Sequence, residues 1–240
     1  MPVIYGYLGY LAWGAAGWGD EFLFALFMTL KISLCAYLLS VLFGLLAAAC
    51  RLSGAFVPRA LAGVYITVVR ALPELLMILI VYFAVAGLAE KALVSAGLVA
   101  RGFQFNPFWA AVFALAFVSG AFMAEVLRAA LQAVPNGGIE AAKAIGMSGP
   151  MIFRRVTVPQ MMRHALPGMG NLWLSITKDS AIVSVLGAFG ELLYTGYRAA
   201  AATKQYIFFY GLTAAFFLLI TILSLGVLRW METRLHRGRS

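Results

Sequence analysis

Long apolar segments recur along this 240-residue chain, and they restrict its possible folds more than any other feature. Each of them approaches or exceeds the roughly 20 residues that a helix needs to cross a bilayer. Apolar residues make up 63% of the chain and charged residues only 11%, whereas a soluble domain carries roughly a quarter charged residues. The runs lack the alternating polar residues of a membrane β-strand, so the chain is expected to be all-α. The predicted spans are 21–50, 59–87, 107–127, 164–186 and 205–230.

One polytopic helical domain accounts for most of the chain. Residues 1–20 are rich in Gly, Tyr and Trp and uncharged until Asp20, which predicts a periplasmic or interfacial segment. Residues 21–232 form the predicted transmembrane domain, interrupted by a polar loop at 135–160. Residues 233–240 form a basic tail.

Composition and spacing argue against several other classes of protein. The net charge of +9 comes from Lys and Arg residues that flank membrane segments, so we expect lipid contacts and no nucleic-acid partner. Cys35 and Cys50 lie in one predicted helix, which predicts neither a disulfide framework nor a metal site. His164 and His236 are separated by a whole span, and the sequence has no catalytic grouping or phosphate-binding loop motif. We therefore predict a protein that is not an enzyme and binds no cofactor itself.

The loop at 135–160 is the most informative polar stretch. Pro135 and the three residues after it have turn chemistry, and 139–147 predicts a short helix of good helix formers. Glu140 is expected in the first turn, where a negative charge suits the helix dipole. Gly149 and Pro150 are expected to close the helix. Small residues on it would let another protein approach the backbone closely. Composition alone favours an ordinary cytoplasmic loop with a surface helix.

The same loop resembles the EAA loop of bacterial ABC-importer permeases. An acidic residue and two alanines are followed after three residues by glycine, and nine residues later comes a run of aliphatic, any, aliphatic and proline. The resemblance implies that the loop contacts an ATPase through a coupling helix. The residues that carry this implied role are Glu140, Ala141, Ala142, Gly146 and Pro159.

Three further runs are similar to the histidine/arginine/octopine branch of these permeases. RALPELL at 70–76 has Ala71 where the family has glycine. SGAFMAEVLRAALQAVP at 119–135 has Phe122 in place of tyrosine, and NLWLSITKDSAIVSVLG at 171–187 has Ser180-Ala181 in place of Thr-Ser. The resemblance covers roughly residues 22–235 and implies a type I ABC-importer permease fold.

Membership of that branch would make the chain the permease subunit of an ATP-driven importer for basic amino acids (arginine, histidine, lysine, ornithine) or opines. The implied partners are a dimer of cytoplasmic ATP-binding subunits, a second permease subunit and a periplasmic amino-acid-binding protein. ATP and Mg would bind to the ATPase. A neutral or acidic polar substrate such as glutamine stays compatible. A protein of a different class, a membrane channel or scaffold that works without ATP, is also compatible with the sequence.

The distribution of basic residues predicts the orientation. With a cytoplasmic C-terminus, the inner segments hold eleven Lys and Arg residues: Arg51, Arg59, Arg128, Lys143, Arg154, Arg155, Arg163, Arg229, Arg234, Arg237 and Arg239. The outer connectors hold four: Lys91, Arg101, Arg198 and Lys204. This bias predicts a cytoplasmic loop at 135–160 and an N-terminus on the opposite side. The resemblance to bacterial permeases then implies a multi-pass inner-membrane protein with a periplasmic N-terminus.

Ionisable residues inside the spans are the candidates for a substrate pathway, because charges at membrane depth usually face a cavity, a partner or each other. Glu74 is expected in the first turn after a helix break at Pro73, and Arg70 lies four residues before it. Lys178 and Asp179 are adjacent and are expected on different helix faces. Structural pairing is the alternative for each of these residues. Glu125 and Arg128, three apart, are expected to pair.

Overall fold

The computed structural model describes residues 9–14, 17–98, 100, 106–182 and 190–236. Within these ranges the chain contains helices and no strand, which confirms the all-α prediction. The helices are α1 (Gly19–Leu52), α2 (Phe56–Ala71), α3 (Glu74–Ser95), α4 (Pro107–Gln132), α5 (Asn136–Ala144), α6 (Gly149–Ile152), a π-helical turn (Phe153–Thr157), α7 (Val158–Asp179), α8 (Leu192–Thr203) and α9 (Tyr206–His236).

Four of the described helices are long and apolar enough to cross a membrane, namely α1, α3, α4 and α9. The predicted span at 164–186 corresponds to α7, which has 22 residues but is less apolar because Asn171, Lys178 and Asp179 lie within it. Positions 183–186 of that span lie outside the described residues, as do 1–8, 15–16 and 237–240 of the predicted terminal segments. The described part of the predicted membrane domain is therefore mainly helical, and α7 is more polar than the four candidate spans.

The predicted span at 59–87 is wrong in its boundaries. Helix α2 ends at Ala71, and Leu72 has an extended backbone (φ −100°, ψ 153°). Pro73 disfavours a helical conformation for the residue before it, which explains the break. Helix α3 then starts at Glu74 and continues to Ser95, through the first part of the predicted connector at 88–106. As predicted, Glu74 lies in the first turn of the helix after the break.

Contacts divide the chain into two compact units. The first unit comprises residues 1–36, 78–115 and 175–223, and the second comprises 37–77, 116–174 and 224–240. In the first unit, the ring of Phe22 stacks on Phe209 and Phe216, with centroid distances of 6.0 and 5.7 Å. Ala199 and Ala200 of α8 are fully buried in the same cluster. Stacked aromatic rings and small residues therefore form the core of the first unit.

The core of the second unit is built around α4. Gly44 of α1 lies against the Met123 side chain, and Gly120 of α4 lies against Phe43 and the Tyr65 hydroxyl. That hydroxyl donates a hydrogen bond of 2.6 Å to the Phe117 carbonyl. Small residues at such contacts let helix backbones approach closely, which is how membrane helices gain packing energy without a hydrophobic driving force.

Glu191 is the N-cap of α8 and is fully buried in the first unit. Its carboxylate oxygens accept hydrogen bonds from the backbone N–H groups of Leu193 and Tyr194, at 2.8 and 2.6 Å. The Leu192 N–H donates to the Thr29 hydroxyl at 3.1 Å, so the first N–H groups of the helix are satisfied. Burial raises the pKa of Glu191 to about 7, although the two N–H donors favour the carboxylate.

We predict that the stability of the first unit falls as the pH rises from about 5 to about 7. The folded state holds the Glu191 proton more tightly than an unfolded chain with the ordinary carboxyl pKa of 4.5, so protonation favours folding below that window. Thermal unfolding of the purified protein at pH 5 and pH 8 checks this, with Glu191→Gln as the variant that cannot titrate. The wild type should lose more thermal stability between the two pH values than the variant. Equal losses would contradict the prediction.

Candidate functional site

Helix α5 lies within the loop that the sequence singled out, and it starts earlier than predicted. It begins at Asn136, after Pro135 in an extended conformation, so Gly137 and Gly138 are helical rather than part of a turn. The predicted position of Glu140 in the first turn is therefore wrong, because it lies in the second turn. Its interaction with the helix dipole is weaker there, since that effect falls off within the first turn.

The end of α5 is set by Gly146, not by Gly149 and Pro150. Gly146 has φ +81°, in the left-handed region that glycine adopts without steric cost. Its N–H donates to the Lys143 carbonyl at 3.0 Å, and the Met147 N–H donates to the Ala142 carbonyl at 3.1 Å. These two bonds form a Schellman motif, which satisfies the last carbonyls of the helix. Gly149 and Pro150 instead begin α6.

Two faces of α5 differ in exposure. Ala142 is buried, and Gly138 packs toward Gln160 and Val156 of the following helical segment. Glu140, Ala141 and Gly146 are exposed. Ala142 therefore seats α5 on the rest of the second unit, whereas the other three residues remain available to a partner.

Three exposed apolar side chains lie at the end of α5 and just after it, and the sequence reasoning missed them. Ile145 is 79% exposed at the end of α5, and Met151 and Phe153 are exposed just after it. Large apolar residues in an otherwise polar loop were the signal that could have identified them. Exposed apolar side chains with a polar rim are typical of a protein–protein contact.

A π-helical turn connects this surface to α7. The Val158 N–H donates to the Phe153 carbonyl, five residues back. Pro159 has no N–H to donate, and in a regular α-helix its ring would clash with the Arg155 carbonyl. The wider π-turn relieves that clash, and such turns are frequent at functional sites. Pro159 is exposed, and this geometry gives it a backbone role at the junction.

A basic groove lies beside α5 in the same unit. Its volume is about 500 Å³, and it is lined by Pro135, Arg155, Val156, Pro159, Gln160, Arg163 and His164. No carboxylate lines it, and none of its cationic side chains forms an ion pair within the described part of the chain. The groove is therefore suited to negatively charged groups of a partner.

The predicted pathway residues lie in both units. In the second unit, Arg70 precedes the break between α2 and α3, and half-buried Glu74 follows it. Helicity does not persist from Arg70 to Glu74, and the Arg70 guanidinium approaches Glu125 at 3.9 Å. The predicted pair of Glu125 and Arg128 is confirmed, with a shortest distance of 2.6 Å.

Lys178 and Asp179 end α7 in the first unit. Lys178 is exposed and Asp179 is half-buried, so the two side chains have different surroundings, as their adjacency predicts. Within the described residues, no group of three His, Cys, Asp or Glu side chains could hold a metal ion.

Comparison with known proteins gives matches over most of the chain. The family described as "Binding-protein-dependent transport system inner membrane component" matches residues 40–237. The chain is 41% identical to the nopaline transport system permease protein of Agrobacterium fabrum over 215 residues, which cover 89% of this chain and 90% of the relative. It is 38% identical to the octopine transport system permease protein of Rhizobium meliloti, over 97% and 98% of the two chains. It is 35% identical to the arginine ABC transporter permease protein of Escherichia coli, over 88% and 92%.

Two solved structures are similar in fold. A chain of an amino acid ABC transporter with histidines aligns with a TM-score of 0.75 and 34% identity, over 90% of this chain and 95% of that one. A chain of the MetNI methionine ABC transporter aligns with a TM-score of 0.62 at 17% identity, over 98% of both chains, and shows the fold alone. The predicted type I ABC-importer permease fold is thereby confirmed.

We predict that α5 frays when Gly146 is replaced by a β-branched residue. A left-handed backbone costs such a residue about 1–2 kcal/mol, and asparagine less, because it tolerates this region better. No atom lies within 4 Å of a Cβ added at 146, so a clash does not confuse the result. In Gly146→Val, amide hydrogen exchange over 139–147 should be faster than in Gly146→Asn. Equal exchange in the two variants would contradict the Schellman assignment.

Proposed function

The chain belongs to the binding-protein-dependent transport system inner membrane component family, and we propose that it forms the translocation pathway of an ATP-driven importer for opines or basic amino acids. In this role it is a multi-pass inner-membrane transport subunit and not an enzyme. The observation that carries the coupling to an ATPase is the exposure of three apolar side chains, Ile145, Met151 and Phe153, on and just after α5.

We propose that this surface docks on the ATPase. Glu140, Ala141 and Gly146 lie exposed on or beside α5, and Ile145 supplies apolar area that gains free energy when a partner removes it from water. Ala142 and Pro159 act indirectly, by seating α5 and shaping the junction with α7. The basic groove supports the same docking, because it suits acidic side chains at the rim of the contact.

The family implies an ATPase and a binding protein as partners. We propose a dimer of ATP-binding subunits, a second permease subunit that is identical or homologous, and a periplasmic binding protein that delivers the substrate. ATP and Mg would bind to the ATPase subunits, and this chain would bind neither. The bias of basic residues toward the loop and the C-terminus supports a cytoplasmic position for both and a periplasmic N-terminus.

We propose opines or basic amino acids as substrates because the relatives carry those names: nopaline, octopine and arginine. Arg70, Glu74, Lys178 and Asp179 are the proposed pathway residues. Glu74 supports this role best, since a half-buried carboxylate in the first turn after a helix break suits a polar substrate. The carboxylates would attract a guanidinium group, and the cations would attract the carboxylates of an opine.

We predict that Ile145→Ser weakens binding of the ATPase subunit. Burial of a full Ile side chain contributes about 1.5–3 kcal/mol, so its loss corresponds to roughly a tenfold or larger fall in affinity. Copurification of the ATPase with the permease measures this. Ile207→Ser provides a matched control, because Ile207 is 93% exposed at the start of α9, far along the chain from α5.

Ile207→Ser should retain the ATPase. If Ile145→Ser retains it equally well, α5 is an ordinary surface helix. A wild-type chain that catalyses uptake in vesicles without any ATPase would instead favour the ATP-independent channel.

We predict that the reconstituted complex, with its own binding protein, takes up nopaline, octopine or arginine in preference to glutamine. The measurement is ATP-dependent uptake of each radiolabelled compound into proteoliposomes. Preference for glutamine would contradict the proposed substrate class while leaving the importer function intact.

A further inference from the structure

A chain of charged and polar contacts runs through the second unit. The Glu125 carboxylate accepts two hydrogen bonds from the Arg128 guanidinium, at 2.6 and 3.2 Å. Arg128 also donates to the Gln132 side-chain oxygen at 2.9 Å, and Arg70 approaches Glu125 at 3.9 Å. We name these four residues, Arg70, Glu125, Arg128 and Gln132, the relay.

The two ends of the relay lie at functionally distinct places. Gln132 is the last residue of α4, and only three residues separate it from the start of α5. Arg70 is the last residue but one of α2, directly before the break that precedes Glu74. The relay therefore joins the segment proposed to dock on the ATPase to the helix break proposed to contact substrate.

The middle of the relay is rigid. Glu125, Arg128 and Gln132 are spaced three and four apart, so their side chains lie on one face of α4. Two parallel N–H···O bonds between a guanidinium and a carboxylate fix the geometry of both groups. The Arg70 guanidinium is also held by the ring of Phe122, 5.6 Å from its centroid, one turn from Glu125 on α4. A displacement of α4 would therefore move both groups that the Arg70 guanidinium contacts, Glu125 and Phe122.

Glu125 is the residue on which the relay depends. Its single negative charge lies between two guanidinium groups, and its side chain is 24% exposed, against 45% for Arg70 and 30% for Arg128. In such a partly buried site, the loss of the shared carboxylate leaves two cations facing each other without a counter-charge. The amide of glutamine has a similar size but no charge, so it cannot hold both guanidinium groups.

We infer that the relay transmits movement of α5 to the break between α2 and α3, with Glu125 as its positioning residue. The inference rests on the proposed coupling function. Tilting of α4 by the ATPase would shift Glu125, and Arg70 would follow. The end of α2 and the first turn of α3 would then change their relative angle at Leu72 and Pro73, where no continuous helical ladder resists it.

The test is Glu125→Gln in the complete complex in proteoliposomes, with ATP hydrolysis and substrate uptake measured together. Basal hydrolysis should persist, whereas uptake and the stimulation of hydrolysis by the loaded binding protein should fall at least fivefold, at the lower end of measured coupling effects. Glu232→Gln is the matched control, because within the described residues Glu232 forms no ion pair. It should retain uptake and stimulation.

A double-mutant cycle with Arg70→Gln separates the relay from a purely local role. If the two residues act together, the double variant should lose no more uptake than Glu125→Gln alone. Additive losses, or a change only in the substrate concentration for half-maximal uptake, would overturn the relay and leave Arg70 as a direct substrate contact.

If the Glu125→Gln variant does not assemble, Gln132→Ala tests the relay instead, since it removes only the hydrogen bond from Arg128 to Gln132 and leaves both ion pairs of Glu125. Reduced stimulation in that variant supports the relay, and unchanged stimulation overturns it.

The wild type reports separately on the proposed function. If the wild-type complex does not couple hydrolysis to uptake, the importer proposal fails. If it does and the variants couple equally well, only the relay fails.

Discussion

The structure depends on the requirement that backbone N–H and C=O groups inside a bilayer find partners within the chain. Helices meet that requirement, and most of the apolar sequence of this protein forms them. Interruptions inside a bilayer are therefore expensive, and three interruptions along this chain have specific causes. Pro73 ends the ladder between α2 and α3, Gly146 closes α5 through a Schellman motif, and Pro159 follows a π-helical turn. Three of the proposed functional residues, Glu74, Gly146 and Pro159, lie at or next to these interruptions.

Local stiffness explains how such interruptions would serve transport. Helix α5 is seated by Ala142 and the contacts of Gly138, and its end is fixed by two backbone hydrogen bonds. A partner that binds the exposed face of α5 therefore moves the helix as a rigid body and does not unwind it. At the other extreme, Leu72 has an extended backbone and Pro73 has no N–H to donate, so the helical hydrogen-bond ladder is interrupted between α2 and α3. An importer needs both properties. This chain combines a firmly seated docking helix, α5, with a break between two helices, α2 and α3.

Much of this could be predicted from the sequence, and the errors have physical causes. Hydropathy predicts α1, α4 and α9 well, because lipid leaves few alternatives to a helix. The break near Pro73 and the pair of Glu125 and Arg128 follow from local chemistry and were predicted correctly. Arg70 and Glu125 are 55 positions apart in the chain, and their contact depends on tertiary packing. Sequence spacing therefore pointed to Glu74, four residues away, as the partner of Arg70. The start of α5 was placed too late, because Gly137 and Gly138 favour turns in isolation, whereas both are helical here and Gly138 packs on the next segment.

The central claim, that α5 couples this chain to an ATPase, is tested most directly by ATP-driven uptake and ATP hydrolysis in the reconstituted complex, with Gly146→Asp compared with Gly146→Asn. Both side chains tolerate the left-handed backbone and have nearly the same size, so they differ in the charge placed on the docking surface. The account predicts that uptake and its coupling to hydrolysis collapse in the aspartate variant while the protein still inserts, and that the asparagine variant retains far more of both. Unchanged uptake in the aspartate variant would contradict the account.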